Sequence, residues 1–200
     1  MKNNKSFFLA LTLMLFIAGT SQSFAQLQIP AASPAAYIAQ NVGFTKISID
    51  YSSPAVKGRK IFGELEKNGV SWRAGANAQT IIDFSTAVSI GGKNLRAGRY
   101  SIFITPQASG EWTVHFNGKA ASVFEYMVEG VMNEEAIAKD DAASVKVAPV
   151  IGENTERLIY TISAENNKVA KVTMAFEKVK ISFLVDTQVD QKMEGFKTAF

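Results

Sequence analysis

Apolar and polar side chains alternate along most of this chain. In "TKISIDY", Thr45, Ile47, Ile49 and Tyr51 fall on one side of an extended backbone, and Lys46, Ser48 and Asp50 on the other. "RYSIFIT" (residues 99–105) and "EWTVHFN" (residues 111–117) alternate in the same way around the turn cluster "PQASG", which predicts a hairpin. "VSIGGKNLRAGRY" predicts another, with Gly91 and Gly92 supplying the positive φ of a tight turn. "TIIDFS" is a shorter strand candidate. "SVKVAPV", "ERLIYTISA", "KVAKVTMAF" and "EKVKISFLVD" are further ones, with Asn166 and Asn167 turning the chain between the middle pair. Their apolar positions are one-sided: Leu158, Tyr160, Ile162; Ala170, Val172, Met174, Phe176; Val179, Ile181, Phe183, Val185. One buried and one wet face is the pattern of antiparallel sheets. The expectation is an all-β antiparallel β-sandwich of about 8–10 strands, although periodicity alone does not separate it from a closed barrel.

Two stretches interrupt the alternation. "KGRKIFGELEKNG" (residues 57–69) places Ile61, Phe62 and Leu65 at helical spacing between glycines, which predicts one or two helical turns. In "SVFEYMVEGVMNEEAIAKDD" (residues 122–141), Asn133 is placed to cap a short helix beginning at Glu134 and Glu135, since acids favour a helix N-terminus. One or two short helices therefore sit in the connecting segments. Residues 26–36 are small, Pro-containing and unpatterned, and read as a flexible lead-in to one domain over residues 37–200.

The first 25 residues read as an export leader. Lys2 and Lys5 precede the apolar run "FFLALTLMLFIA", and "SFA" offers a small-x-small cleavage site after Ala25. The run is too short to span a bilayer comfortably, so no stable membrane span is expected after cleavage, and the mature chain is placed in the periplasm or outside the cell. The chain has no Cys, which excludes disulfides, thiolate chemistry and a lipid anchor on cysteine. Without the two leader lysines, 19 of the 21 basic residues face 18 acids, a net charge of about +1. The basic residues are scattered among the acids, so no nucleic-acid partner is expected.

Most catalytic constellations are missing. His115 is the only histidine, and its place on the polar side of a strand predicts a solvated side chain. Glu134, Glu135, Asp140 and Asp141 lack the spacing of a cation loop and read as a solvated charge run, so no metal site is expected. There is no glycine-rich phosphate loop, and no cofactor is implied.

What stands out is the region from Tyr51 to Asn77. "YSSPAVKGRKIFG" places Tyr51, Lys57 and Arg59 at and beyond a strand end, and "WRAGAN" adds Trp72, Arg73 and Asn77. An arginine fork holds carboxylate or phosphate, Trp offers a flat apolar face, and Asn both donates and accepts. Tyr51, Lys57, Arg59, Trp72, Arg73 and Asn77 are therefore the candidate ligand-binding residues, on loops at one end of the sandwich. A structural reading stands beside this one. In it Trp72 plugs the core, Arg73 pairs with Asp50 or Glu64, Gly75 sits at positive φ and Asn77 bonds its own turn.

"GFTKISIDYSSPAVKGRKIFG", "WRAGANAQT", "LRAGRYSIFITP" and "EWTVHFN", followed by "VKVAP", "ERLIYTI" and "MAFEKVKISF", resemble a family of exported bacterial proteins known as domain of unknown function 2911, common in Bacteroidetes. The resemblance runs from about Ser33 to Val185 and implies an all-β secreted domain without an assigned activity. Tyr51, Pro54, Gly58, Arg59, Gly63, Trp72, Arg73, Gly75, Ala76 and Asn77 match the family motif. Ser53, Ala74, Ala78 and Phe176 depart from it, standing where the family often carries Arg, Thr, Glu and Trp. Losing that Arg and Glu argues against an enzyme.

Three functions follow as expectations. The first is non-enzymatic binding of a small anionic or carbohydrate-like ligand, or of an envelope protein partner, through these loops. The second is a hydrolase using Tyr51 or Asp50 with Arg59 and Arg73 as electrostatic stabilisers. The third is a purely structural envelope module.

Overall fold

A computed structural model describes residues 29–197, so the export leader expected over the first 25 residues lies outside the described residues. Every element below belongs to the compact unit that begins at Ala31. The strands are β1 (Ala35–Val42), β2 (Thr45–Ser52), β3 (Ile81–Phe84), β4 (Val88–Ile90), β5 (Lys93–Leu95), β6 (Gly98–Thr105) and β7 (Trp112–Asn117), then β8 (Met127–Val128), β9 (Val131–Met132), β10 (Asp141–Val147), β11 (Val150–Ala164) and β12 (Val169–Asp186). Two helices, α1 (Glu134–Asp140) and α2 (Val189–Lys197), and a single 3₁₀ turn (Val123–Tyr126) complete them.

The pairing is antiparallel throughout. One sheet has the order β1-β2-β3-β6-β7-β10 and the other β11-β12-β4-β5, while β8 and β9 form a separate hairpin. The apolar stripes of the two sheets face each other. Ile47, Ile49, Ile82, Phe84, Ile102, Ile104, Val114 and Phe116 meet Leu158, Tyr160, Val172, Met174, Phe176, Ile181, Phe183 and Val185 in one core. This is the sandwich that the alternation predicts.

Four details differ from the sequence reading. The lead-in ends earlier than expected, because β1 already pairs with β2 from Ala35. Its alanines and amides alternate too weakly in hydropathy to mark a strand. The last two strand candidates are one strand, β12. Phe176 and Val179 both face the core three positions apart, and Glu177, at φ +56°, takes up the odd residue as a bulge. Residues 57–69 form turns and not a helix. Positive φ at Lys57, Gly58, Gly63 and Gly69 reverses the chain repeatedly.

The fourth difference is that β6 and β7 are buried on both faces. Residues 118–140 fold back over the outer side of these strands, and Phe103, Ala121, Val123, Tyr126 and Ile137 make a second apolar cluster there. Asn133 caps α1 as expected, its Oδ1 accepting from the Ala136 N–H at 3.0 Å. The cap turns the polar side of the hairpin into an interior, and the side chains there must then find partners.

Candidate functional site

Residues 53–80 connect β2 to β3 across one end of the sandwich. The connection is tied down at both ends. The Ser53 N–H donates to Pro34 O at 2.8 Å, Ser53 Oγ donates to Leu158 O at 2.7 Å, and the Val56 N–H donates to Glu156 O at 2.8 Å. Further on, Trp72 exchanges two backbone bonds with Ile104, of 2.8 and 2.9 Å, and so lies along the edge of β6. The loop then turns back toward β3 through Ala74 and Asn77, at φ +54° and +57°.

Gly75 is needed for space and not for positive φ. A Cβ there would stand 2.6 Å from Thr80 Oγ1, which donates to Ala74 O at 3.0 Å, and Tyr160 Oη donates to the same carbonyl at 2.8 Å. Two buried hydroxyls thus fix the left-handed turn at Ala74.

The six candidate residues divide. Tyr51 is core: its ring packs edge-on against Tyr160 with centroids 5.0 Å apart, and its hydroxyl accepts from the Tyr160 N–H at 3.5 Å. Asp50 lies on the opposite, exposed face of β2. Trp72 is 6 % exposed, stacks on Phe176, meets Phe62 edge-on and donates through Nε1 to Gly75 O at 3.0 Å. Its flat face is occupied. Asn77 donates to Ser33 O at 3.0 Å and pins the incoming chain. Lys57 lines a shallow depression of about 280 Å³ with Ala32, Ser33, Ala55 and Arg59.

Arg59 and Arg73 converge, together with Trp72, on a second cleft of about 250 Å³ beside that depression. Arg59 is braced by its own loop, Nε donating to Val56 O at 3.0 Å and Nη2 to Ala55 O at 2.6 Å. Arg73 pairs with neither Asp50 nor Glu64. Its guanidinium lies 4.9 Å from the centroid of the Phe124 ring on the cap, and its Nε is buried without an acceptor. Glu64 instead reaches Lys60, at 3.7 Å.

The third charged group of this cleft is Glu66, which the sequence reading did not single out. Burial pushes its carboxyl up to about 7, against the pull of the Arg73 and Arg59 guanidiniums. It makes no side-chain hydrogen bond or ion pair within 4.0 Å among the described residues. Two cations and a carboxyl thus face one small space without closing on each other. A perturbed carboxyl beside charged partners in a cleft marks a candidate binding or chemical site.

A second polar constellation lies under the cap. His115 is buried and not solvated, because residues 118–140 cover it. Its Nδ1 lies 2.6 Å from Asp141 Oδ2, and its Nε2 lies 2.9 Å from Thr105 Oγ1. Thr105 Oγ1 continues to Ser71 Oγ at 2.7 Å, and Ser71 Oγ donates to Glu134 Oε2 at 2.5 Å. The Ser71 N–H donates to the other oxygen of Glu134 at 2.7 Å. The order hydroxyl–imidazole–carboxylate is that of a hydrolytic triad. Here, however, Ser71 and Thr105 are 4 % and 7 % exposed, and the chain joins the cap to the residue preceding Trp72. It acts as a clasp.

The family model described as "Protein of unknown function (DUF2911)" matches residues 33–185. The chain belongs to the DUF2911 family. The matched span of this DUF2911 chain holds the cleft, the cap and both sheets, and α2 lies beyond it. No curated protein matches the chain, and no solved structure does. Among the described residues no group of three or more acidic or His side chains could hold a metal ion, and no helix is long and apolar enough to cross a membrane.

Proposed function

We propose that this DUF2911 chain is an exported, non-enzymatic binding domain that holds a small anionic ligand in the cleft between Arg59, Glu66 and Arg73. The observation that carries this reading is a cleft lined by Arg59, Arg73 and Glu66, in which both guanidiniums act on the Glu66 carboxyl without an ion pair closing on it. A guanidinium fork holds an oxyanion through charge-assisted hydrogen bonds. The packed face of Trp72 disfavours a stacked sugar and narrows the ligand class to anions. Export rests on the leader features of residues 1–25.

The experiment is a thermal-shift screen of small carboxylates, sulfate, phosphate and neutral sugars, run on the wild type, Arg59→Ala and Arg73→Ala. The reading expects stabilisation by anions alone, reduced in both variants. Stabilisation by sugars that survives Arg73→Ala would contradict it.

A further inference from the structure

The geometry points to a short-chain monocarboxylate as the ligand of this cleft, taken up together with one proton that Glu66 carries. The inference rests on the reading that the cleft binds an anion, and it adds the chemical class and the proton.

The cleft is two-sided. Arg59, Arg73 and Glu66 supply its polar groups, while Pro54, Leu65 and Phe176 supply apolar wall. A carboxylate with a few carbons matches both sides, its oxygens on the guanidiniums and its tail on the wall. The volume of about 250 Å³ lies just below the range of about 300–1,000 Å³ that holds drug-sized ligands. Arg73 lines the cleft and acts on Glu66 across it. A guanidinium holds a carboxylate through two parallel hydrogen bonds.

The proton follows from crowding. A second carboxylate in so small a space meets the Glu66 carboxyl, and two carboxyl groups sharing a site do not both stay ionised. Glu66 has nothing else to bond among the described residues, and burial already holds its carboxyl up at about 7. When the ligand arrives, Glu66 takes a proton from solvent and donates a hydrogen bond to the ligand or lies beside it uncharged. The charged groups around it fit this role. Arg59 and Arg73 keep their charge across the whole range. Lys60, Glu64 and Lys67, on the same loop, are exposed to solvent. On β12, Glu177 is turned to the Ile61 and Phe62 N–H groups, at 3.3 and 3.5 Å.

The test is calorimetric titration of lactate into the full chain at about pH 6 and about pH 8.5, each in two buffers of different ionisation enthalpy. The inference expects no net proton uptake at the lower pH and close to one proton at the higher. Affinity falls by up to about tenfold per pH unit above about pH 8. Glu66→Gln retains binding and loses that slope. Binding without proton uptake at high pH, or an unchanged slope in Glu66→Gln, overturns the inference and leaves the anion site standing. Tighter binding of sulfate than of lactate overturns the ligand class. No binding of lactate, sulfate or chloride at either pH overturns both the inference and the site. The wild-type proton count needs no variant, so a poorly folded Glu66→Gln does not block the answer.

Discussion

His115 Nδ1 and Asp141 Oδ2 lie 2.6 Å apart beneath the cap, each side chain about nine-tenths buried. The pair joins β7 to the first residue of β10, and through Thr105 and Ser71 it reaches Glu134 at the start of α1. Asp141 Oδ1 has no partner, so the pair depends on the imidazole for much of its compensation.

Breaking the clasp should therefore cost stability before anything else. His115→Ala leaves a buried carboxylate and a buried hydroxyl short of a partner. We expect a loss of about 1–3 kcal/mol in urea unfolding. Hydrogen exchange should rise first over residues 118–140. If His115 were instead a solvated strand residue, neither change would be seen.

Glu66 makes stability depend on pH. Its folded carboxyl is raised from the ordinary 4.5 to about 7, so the native state holds a proton that the unfolded chain releases earlier. The stability conferred by this group is present below about pH 4.5 and is lost as pH rises through about 7. The difference between wild type and Glu66→Gln, followed by denaturant unfolding over that window, should change sign-consistently against the wild type with rising pH. A constant difference would mean that the carboxyl titrates as it does in water.

Gly75→Ala should be among the most damaging single changes in the motif. The added methyl meets Thr80 Oγ1 at 2.6 Å in a turn that two hydroxyls already fix. A loss of about 1–3 kcal/mol is expected for such overpacking. Thr80→Ala made together with it should cost less than the two changes summed, which a double-mutant cycle measures. Gly110→Ala offers a contrast, since its Cβ meets nothing within 4 Å and only the backbone, at φ +78°, opposes it.

Most of the polar contacts of the C-terminal helix with the sheets run through one side chain. Lys192 Nζ donates to Thr86 Oγ1 at 2.5 Å, Thr187 O at 2.6 Å and Ala87 O at 2.8 Å, with Thr45 Oγ1 further off at 3.3 Å, while no residue of α2 is buried. Lys192→Met should release α2 to proteolysis at unchanged sheet content by circular dichroism. Retained resistance would show that the Lys168–Asp190 and Phe44–Phe196 contacts suffice.

The sequence carried the sandwich because each strand keeps its own period. Ile47, Ile49 and Tyr51 face inward without needing any distant residue to say so. Gly91 and Gly92 likewise turn β4 into β5 locally, at φ +56° and +78°. Arg59, Trp72 and Arg73 were legible as a group, since charged and aromatic residues crowd into loops of a regular chain. Glu66 was not. In "GELEKNG" it reads as one more solvated charge, and only the fold-back from Glu66 N–H to Ile61 O and from Gly63 N–H to Glu66 O brings it to the cleft. His115 escaped for a similar reason. Its burial comes from the cap, a segment whose mixed pattern does not reveal which strands it covers.

The cleft itself is tested most directly by the Nε–H resonance of Arg73, one of five arginines in the chain, assigned by its absence in Arg73→Lys. Titrating lactate at about pH 6, where Glu66 is largely protonated, should shift this resonance saturably as an anion binds beside the Arg73 guanidinium. The exposed Arg96 and Arg99, which do not line the cleft, should stay in place. An Arg73 resonance that does not move while the protein still binds lactate would place the ligand elsewhere and contradict the account.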